Sequence, residues 1–233
     1  MNLPKGFDQL SPEQKRLALK KIEIEIYKNS LFDTAKYLLG YKDLSWDTHG
    51  TLCETLESSS KRKLIVMPRG CFKSSIASVA YPIWLLLNNP NLRIMIDSEV
   101  YENSRKFLRE IKAHLLSEKV ISLFGDLKGS TWTEGEIVLA NRTVNKKEAS
   151  ITCSGIGAQK TSQHYDFCVG DDLNSPKNSL TPEACQKVID HFRMYTSLLD
   201  PGGTIVIIGT RYSEMDVIGH ILDTDARPLD AIG

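Results

Sequence analysis

Short apolar runs alternate along the chain with longer amphipathic segments, and this pattern predicts the order of elements. Runs of four or five apolar residues are typical of buried strands, and they predict strands over 64–67, 92–96, 149–153, 167–170 and 204–208, with a longer strand over 132–144. Helical periodicity and helix-start signals predict helices over 11–29, 31–40, 74–88, 98–116 and 181–199. Strands that alternate with helices in this way predict an α/β fold, with a mostly parallel sheet and helices on both faces.

The segment after the first predicted strand is a candidate phosphate-binding loop. A loop between a strand and a helix that opens with Lys-Ser offers backbone N–H groups and a helix dipole to phosphate. Lys73 would reach the β- and γ-phosphates, and the Ser74 hydroxyl would bind Mg²⁺. Met67 and Phe72 stand where the P-loop consensus has glycine, so an ordinary βα turn with a surface lysine is an equal alternative. The candidate nucleotide-binding residues of this segment are Pro68, Arg69, Gly70, Cys71, Phe72, Lys73, Ser74 and Ser75.

Two adjacent carboxylates follow the predicted strand over 167–170, in the form of a Walker B motif. Asp171 would hold the Mg²⁺, and Asp172 would orient or deprotonate the attacking water. Adjacent carboxylates after a buried strand repel each other and lose hydration, so they usually have a function. A strand that runs into a polar turn is the alternative, and it is disfavoured by the position of these residues after a P-loop candidate.

A third signal lies where the strand over 204–208 ends in Gly209, Thr210, Arg211 and Tyr212. The carboxyl edge of an open α/β sheet is where ligands bind, so Thr210 and Arg211 are candidate nucleotide contacts, although a plain surface loop would have the same pattern. The strand over 92–96 lies between the other two motifs in the chain, which is typical of the RecA-like branch of P-loop NTPases (ASCE).

These three motifs, in this order, resemble the ATPase domain of the large terminase subunit, the DNA-packaging motor of tailed bacteriophages and herpesviruses. The resemblance runs from about residue 44 to residue 222. It implies a RecA-like ASCE fold and Mg²⁺-dependent ATP hydrolysis, with Asp171 in Walker B and Gly209 to Tyr212 as the coupling motif. Trp46 and His49 lie where this family carries an adenine-side motif, and a buried tryptophan with a capping histidine is the alternative.

The resemblance also implies an assembly and its partners. Large terminases act as a homo-oligomeric ring on the capsid, expected to be a pentamer, in which an arginine of one subunit reaches its neighbour's ATP. Arg142 is the candidate for that arginine, and Arg69 would act in cis, so the catalytic set is Asp172, Lys73, Arg142 and Arg69. The implied partners are double-stranded viral DNA, the portal protein and the small terminase subunit, in the host cell cytoplasm and away from any membrane.

The resemblance divides the chain into three parts. Residues 1–43 are expected to form an N-terminal helical lid or extension, and residues 44–222 the P-loop ATPase core. Residues 223–233 would begin a linker to a nuclease domain. No further cluster of carboxylates on strands follows, so nuclease activity is not expected of this chain.

Composition narrows the class of protein. The 233 residues contain 29 basic and 29 acidic side chains, so the chain lacks the basic field of a freestanding nucleic-acid coat. The chain has five cysteines and no C-x-x-C pair, which argues against a disulfide-stabilised fold and against a zinc ribbon. This cysteine content favours a reducing compartment. No apolar run approaches the roughly 18 residues of a membrane span, and the first residues lack a signal-peptide core. A soluble intracellular protein is expected.

Two other functions are compatible with these motifs. A helicase-type motor shares the RecA core, but it would need a second core, for which 233 residues leave no room. A nucleotide-binding adaptor that does not hydrolyse ATP is favoured by the unusual P-loop and by Asp172, which stands where this branch usually has the longer glutamate.

Overall fold

A single seven-stranded sheet organises residues 7–158 and 162–224, which a computed structural model of the chain describes. Its strands are β1 (Arg62–Val66), β2 (Ile94–Ser98), β3 (Lys128–Trp132), β4 (Glu136–Leu139), β5 (Ile151–Cys153), β6 (Tyr165–Asp171) and β7 (Leu199–Gly209), arranged in the order β1-β7-β6-β2-β5-β4-β3. The first five strands of that order pair in parallel, whereas β4 pairs antiparallel with both of its neighbours, β5 and β3. The predicted α/β class with a mostly parallel sheet is confirmed.

Helices cover both faces of the sheet. They are α1 (Pro12–Asn29), α2 (Leu31–Asp33) with a π-helical continuation (Thr34–Leu38), α3 (Trp46–Glu57), a π-helical turn (Ser75–Ala80) that leads into α4 (Tyr81–Asn88), α5 (Tyr101–Leu115), α6 (Glu118–Phe124), α7 (Pro182–Leu198) and α8 (Val217–Thr224). Side chains alternate between the two faces of a strand. Ile94 and Ile96 of β2 accordingly join the apolar cluster under α4 and α5, whereas Met95 joins the cluster under α7 and α8.

The first helix begins as its sequence predicts. The Ser11 hydroxyl accepts a hydrogen bond from the Gln14 N–H (3.3 Å), and the Gln14 side chain accepts one from the Ser11 N–H (2.9 Å), which completes a capping box. The helices that follow share their apolar cluster with the sheet, because Leu31 and Leu38 are buried with Ile65 of β1. The segment 7–43 is therefore helical for most of its length and packs on the sheet; its role as a lid stays a prediction.

The prediction of one long strand over 132–144 is wrong. Residues 128–139 form the hairpin β3–β4, with a turn at 133–135 in which the Thr133 hydroxyl accepts hydrogen bonds from the N–H groups of Gly135 and Glu136. After β4 the chain leaves the sheet, because residues 141–147 are mostly polar and exposed. Arg142 thus lies in a loop and not on a strand. Ser98, where the helix over 98–116 was predicted to begin, instead ends β2.

The strand order brings the three predicted motifs to one edge. β7 lies between β1 and β6 and pairs in parallel with both, so the loops after all three strands leave from the carboxyl edge of the sheet. The strand predicted over 92–96 corresponds to β2, which lies on the other side of β6. In the sheet, β7 is therefore the strand that separates the P-loop strand from the Walker B strand.

The end of the chain falls only partly within the described residues. α8 continues through the predicted boundary at residue 222 to Thr224, and residues 225–233, which contain most of the predicted linker, lie outside them. Among the helices of the described residues, none combines the length and apolarity needed to cross a bilayer.

Candidate functional site

The loop after β1 adopts an unusual backbone conformation at the position where the consensus glycine is missing. Gly70 has φ 83° and Phe72 has φ 51°, in the left-handed region that glycine favours. A non-glycine residue there is strained by about 1 kcal/mol or more. The Phe72 ring packs edge-on against the buried His49 ring, with 5.7 Å between their centroids. This contact offers a physical reason for the aromatic residue: Phe72 keeps the left-handed conformation and anchors the loop to α3.

Lys73 and Asp172 form the closest ionic contact of this edge. Lys73 is buried, and its Nζ lies 3.6 Å from Oδ2 of Asp172. Asp172 also has a left-handed backbone (φ 43°), and its N–H donates to the Ile208 carbonyl of β7 (2.9 Å). Its other oxygen, Oδ1, is buried and has no hydrogen-bond partner among the residues that the structure describes. Strained residues and unpaired buried polar atoms are concentrated at functional sites, which makes this carboxylate a candidate for chemistry.

Asp171 is held by two hydroxyl groups. The Ser74 hydroxyl donates to Oδ1 (3.0 Å), and the Ser78 hydroxyl donates to Oδ2 (2.5 Å). Burial raises the pKa of the Asp171 carboxyl to about 6; the charge of Asp172 adds to the rise, and the Ser78 hydrogen bond opposes it. Ser78 was not among the predicted site residues. It follows Ser74 by four positions, the spacing that places two side chains on one face of a helix.

The Ser74 and Asp171 oxygens fit a bound Mg²⁺. This ion prefers oxygen ligands and keeps several waters, so one or two protein ligands beside substrate phosphates are enough. The described residues contain no cluster of three or more His, Cys, Asp or Glu side chains suited to a metal, which is compatible with such a sparse site. A desolvated carboxylate with a raised pKa gains a counter-charge when a cation binds.

The loop after β7 meets the loop after β1. The Thr210 hydroxyl donates to the Met67 carbonyl (3.4 Å), and the Arg69 guanidinium donates to the Tyr212 hydroxyl (2.5 Å) while lying 5.8 Å from the centroid of its ring. Arg211 is exposed, and its one hydrogen bond within the described residues goes to the Ser213 carbonyl (3.4 Å). The structure therefore brings together the two loops that carry Arg69 and Thr210, and it adds Tyr212, which had been noted only as part of the motif.

The two adenine-side candidates differ in their surroundings. Trp46 opens α3 and is 53% exposed, with one edge-on contact to Phe32 at 5.1 Å between centroids, so the alternative of a buried tryptophan is wrong. His49 is buried, and its Nδ1 lies 3.1 Å from the Ser45 backbone nitrogen. Through its contact with Phe72, His49 is the candidate of this pair that touches the loop.

Arg142 lies apart from these residues. Its Nη1 donates to the Glu148 carbonyl (2.8 Å), while Nε and Nη2 are buried and unpaired within the described residues. Burial lowers the pKa of its guanidinium, and the neighbouring Arg93 adds to the decrease. Arg93 immediately precedes β2, at the amino edge of the sheet, whereas Lys73 follows β1 at the carboxyl edge. The structure thus does not bring Arg142 to the Lys73 site of the same chain.

Comparisons with known proteins agree with this geometry. No protein-family model matches the chain. The large terminase subunit of Enterobacteria phage T3 is 27% identical to it over 177 residues, which are 74% of this chain and 30% of that protein. The resemblance to the large terminase subunit is confirmed. The chain spans less than a third of the length of that relative.

Two solved structures of phage terminases are similar to the chain. The HK97 bacteriophage large terminase matches 84% of this chain and 40% of its own, with a TM-score of 0.54 and 10% identity. The large terminase ATPase domain of Thermus phage P74-26 matches 76% of this chain and 68% of its own, with a TM-score of 0.46 and 18% identity. The HK97 match, together with the position of β7 between β1 and β6, confirms the RecA-like α/β fold.

Alkylation of Cys71 is expected to block ATP hydrolysis, and ATP is expected to protect the thiol. Residues 70–75 line an open depression of about 340 Å³, and Cys71 is half-buried there, whereas Cys53, Cys153, Cys168 and Cys185 are buried. Labelling followed by mass spectrometry and phosphate-release assays measures both effects. A Cys71→Ser variant is the control and should hydrolyse ATP regardless of the reagent. Full activity after complete labelling would place the nucleotide elsewhere.

Proposed function

We propose that this chain is the ATPase domain of a DNA-packaging motor, which hydrolyses ATP to move double-stranded DNA into a procapsid. The observation that carries the proposal is the convergence of two pairs at one edge of the sheet. Lys73 lies 3.6 Å from Asp172, and the Ser74 hydroxyl lies 3.0 Å from Asp171. The similarity to the large terminase subunit of phage T3 supports the coupling to DNA.

In the proposed reaction, the chain positions the triphosphate and a water molecule. Backbone N–H groups at the start of the π-helical turn face the phosphates, and the Lys73 ammonium compensates charge on the β- and γ-phosphates. Ser74 and Asp171 would hold Mg²⁺, which would supply positive charge to the phosphate oxygens as negative charge develops on them. Asp172 accepts a proton from the water as its oxygen bonds to the γ-phosphorus, and the bond to the β-phosphate oxygen breaks. ADP and phosphate are the products.

Bound phosphate would draw Lys73 away from Asp172. In the structure the ammonium is paired with the carboxylate that must act as a base. A triphosphate carries more negative charge than one carboxylate, so Lys73 gains more by turning to it, and Asp172 is then free to bind water. Arg69 is exposed and donates a hydrogen bond to the neutral Tyr212 hydroxyl. The charge of a triphosphate would attract it more strongly than this hydroxyl does, and we propose Arg69 as the cis arginine.

The assembly belongs to the proposal as well. We infer a homo-oligomeric ring in which a neighbour's arginine reaches the γ-phosphate. Arg142 stays the candidate because two nitrogens of its guanidinium, Nε and Nη2, have no partner within the described residues, although its loop lies at the amino edge of the sheet. Double-stranded DNA, a portal protein and a small terminase subunit are the proposed partners, in the host cytoplasm. Residues 223–233 are proposed to lead towards a nuclease domain.

The site geometry favours hydrolysis over the adaptor alternative. A non-hydrolysing nucleotide-binding module has no use for a second carboxylate at this edge. Asp172 nevertheless has a strained backbone, an ion pair with Lys73 and one unpaired buried oxygen. The strained backbone and the unpaired oxygen are unfavourable for stability alone, and they are useful if the carboxylate binds water beside a phosphate.

Phosphate release with and without linear double-stranded DNA tests the proposal. We expect the chain to release phosphate slowly from ATP, because a monomer lacks its neighbour's arginine. Chelation of Mg²⁺ should stop the release, and linear DNA should increase it. A Lys187→Gln variant, changed on an exposed position of α7, is the control and should match the unmodified chain. Binding of ATP without any phosphate release, at protein concentrations that favour assembly, would favour the adaptor instead.

A further inference from the structure

One face of α5 carries a group of cations that the nucleotide site does not use. The opposite face is buried in the apolar cluster through Leu108, Ile111 and Leu115. The outward face borders a hollow of about 410 Å³ that is lined only by charged side chains: Glu102, Arg105, Lys106, Arg109, Lys112 and Glu134. Because the chain as a whole is neutral, this hollow is a local concentration of positive charge.

Most of this positive charge is not compensated. Arg105 pairs with both acids of the hollow, Glu102 (2.6 Å) and Glu134. Lys106 and Lys112 make only neutral contacts within the described residues, to the Asn103 side chain (3.1 Å) and the Thr133 carbonyl (3.2 Å). Arg109 is exposed and has neither a hydrogen bond nor an ion pair with any described residue. Four cations therefore face two carboxylates, and both carboxylates are bound to the same arginine.

The hollow is built by two elements that are fixed against each other. The turn of the β3–β4 hairpin packs on the start of α5, where any side chain at Gly135 would collide with the Tyr101 hydroxyl. Lys112, one helical turn from the end of α5, reaches the Thr133 carbonyl of the same turn. The concave shape thus comes from tertiary packing, and it holds the cations on one side of a shallow channel.

The chemistry of the lining identifies the class of partner. Arg105, Arg109 and Lys112 recur at helical positions i, i+4 and i+7 and span about 10 Å along the helix axis. That length corresponds to roughly three phosphates of one strand of B-form DNA. None of the described residues that line the hollow is apolar or aromatic. Their side chains therefore offer neither the buried anchors of protein–protein interfaces nor the apolar side of membrane-binding helices.

We propose that this basic hollow binds the phosphate backbone of double-stranded DNA without reading its sequence. The choice of DNA as the polyanion rests on the proposed function, whereas the position of the contact rests on α5 itself. The hollow lies on the face of the sheet that α5 covers, and none of its lining residues belongs to the nucleotide loop. DNA contact and ATP hydrolysis should therefore be separable by substitution.

Salt-dependent DNA binding by the whole chain tests this proposal. Fluorescence anisotropy with a short labelled duplex is compared for the unmodified chain and for a double variant, Arg109→Gln with Lys112→Gln, which removes both charges and leaves polar side chains in their place. Each lost phosphate contact lowers the slope of log K against log salt concentration by about 0.9, so we expect the slope to fall by about 2 and the affinity by at least about tenfold at roughly 50 mM salt. An Arg109→Lys variant should retain most of the affinity.

The matched control removes two positive charges outside the hollow. Lys20→Gln with Lys187→Gln changes two exposed helical lysines on other surfaces and should leave the slope unchanged. An equal loss of DNA affinity in both double variants would overturn the proposal. It would also be overturned if the unmodified chain did not bind the duplex, or if it bound polyglutamate more tightly than DNA. Loss of DNA binding from the α5 variant with unchanged DNA-independent phosphate release supports it. DNA binding through α5 without ATP hydrolysis would instead contradict only the proposed ATPase.

Discussion

The Asp172→Asn variant is expected to bind ATP and to lose hydrolysis. Asparagine has nearly the volume of aspartate, so the loop after β6 should keep its shape, including the bond from the N–H of residue 172 to the Ile208 carbonyl. An amide cannot accept the proton of the attacking water, and the loss of a general base lowers rates by about 10²- to 10⁴-fold. Lys73 also loses its partner at 3.6 Å and becomes free to bind phosphate. Single-turnover phosphate release and equilibrium binding of a fluorescent ATP analogue measure the two effects separately.

Two further variants serve as controls for the Asp172→Asn result. Lys73→Ala removes the buried ammonium and should abolish both nucleotide binding and phosphate release. Asp190→Asn makes the same chemical change on the exposed face of α7, next to Arg193, and should change neither. If Asp172→Asn hydrolyses ATP at the unmodified rate, Asp172 is not the base, and another group must activate the water.

The second large effect is expected for stability. Arg93 is buried at the amino edge of the sheet and contacts three carboxylates: Asp166 (3.0 Å), Glu148 (3.5 Å) and Asp200. The hydrogen bond from Arg93 lowers the pKa of the Asp200 carboxyl, as expected for a carboxylate stabilised in its charged form. In an Arg93→Met variant the aliphatic part of the side chain remains, but the carboxylates lose their counter-charge. Removing one partner of a buried ion pair typically costs about 3 kcal/mol or more.

Thermal and urea unfolding at neutral pH measure that loss. For a domain of this size, about 3 kcal/mol corresponds to a decrease of roughly 10 °C in Tm. Arg193→Met is the control, because Arg193 pairs with Asp190 on the surface of α7 (3.3 Å), where ion pairs contribute about 0–1 kcal/mol. An Arg93 variant that unfolds within a degree or two of the unmodified chain would show that water compensates the carboxylates fully.

The strands and the four central site residues were predictable because their signals are local. Apolar runs of strand length define β1, β2, β6 and β7 without tertiary information. Lys73 with Ser74 and Asp171 with Asp172 each follow such a run directly, and the carboxyl ends of parallel strands share one edge. The pairing of Lys73 with Asp172 follows from that shared edge and from opposite charge.

What escaped prediction depends on tertiary contacts. The β3–β4 hairpin was missed because β-branched and aromatic residues continue on both sides of its turn, so the turn at 133–135 interrupts the pattern only briefly. The contact of Arg69 with Tyr212 joins residues 143 positions apart. Phe72 departs from the consensus, and only its packing on His49 provides a reason for it. Arg142 was assigned to a strand, and the position of its loop follows from where β4 ends.

The ion-pair cluster around Arg93 has a mechanical consequence for the opposite end of the sheet. One guanidinium is joined to the beginnings of β6 and β7 through Asp166 and Asp200, while its own backbone leads into β2. Arg93 thus links the amino-terminal ends of three neighbouring strands, β2, β6 and β7. Asp171 stands about 16 Å further along β6 than Asp166. Sliding of these strands past one another is resisted, so we expect movement during turnover to be confined to the loops at their free tips.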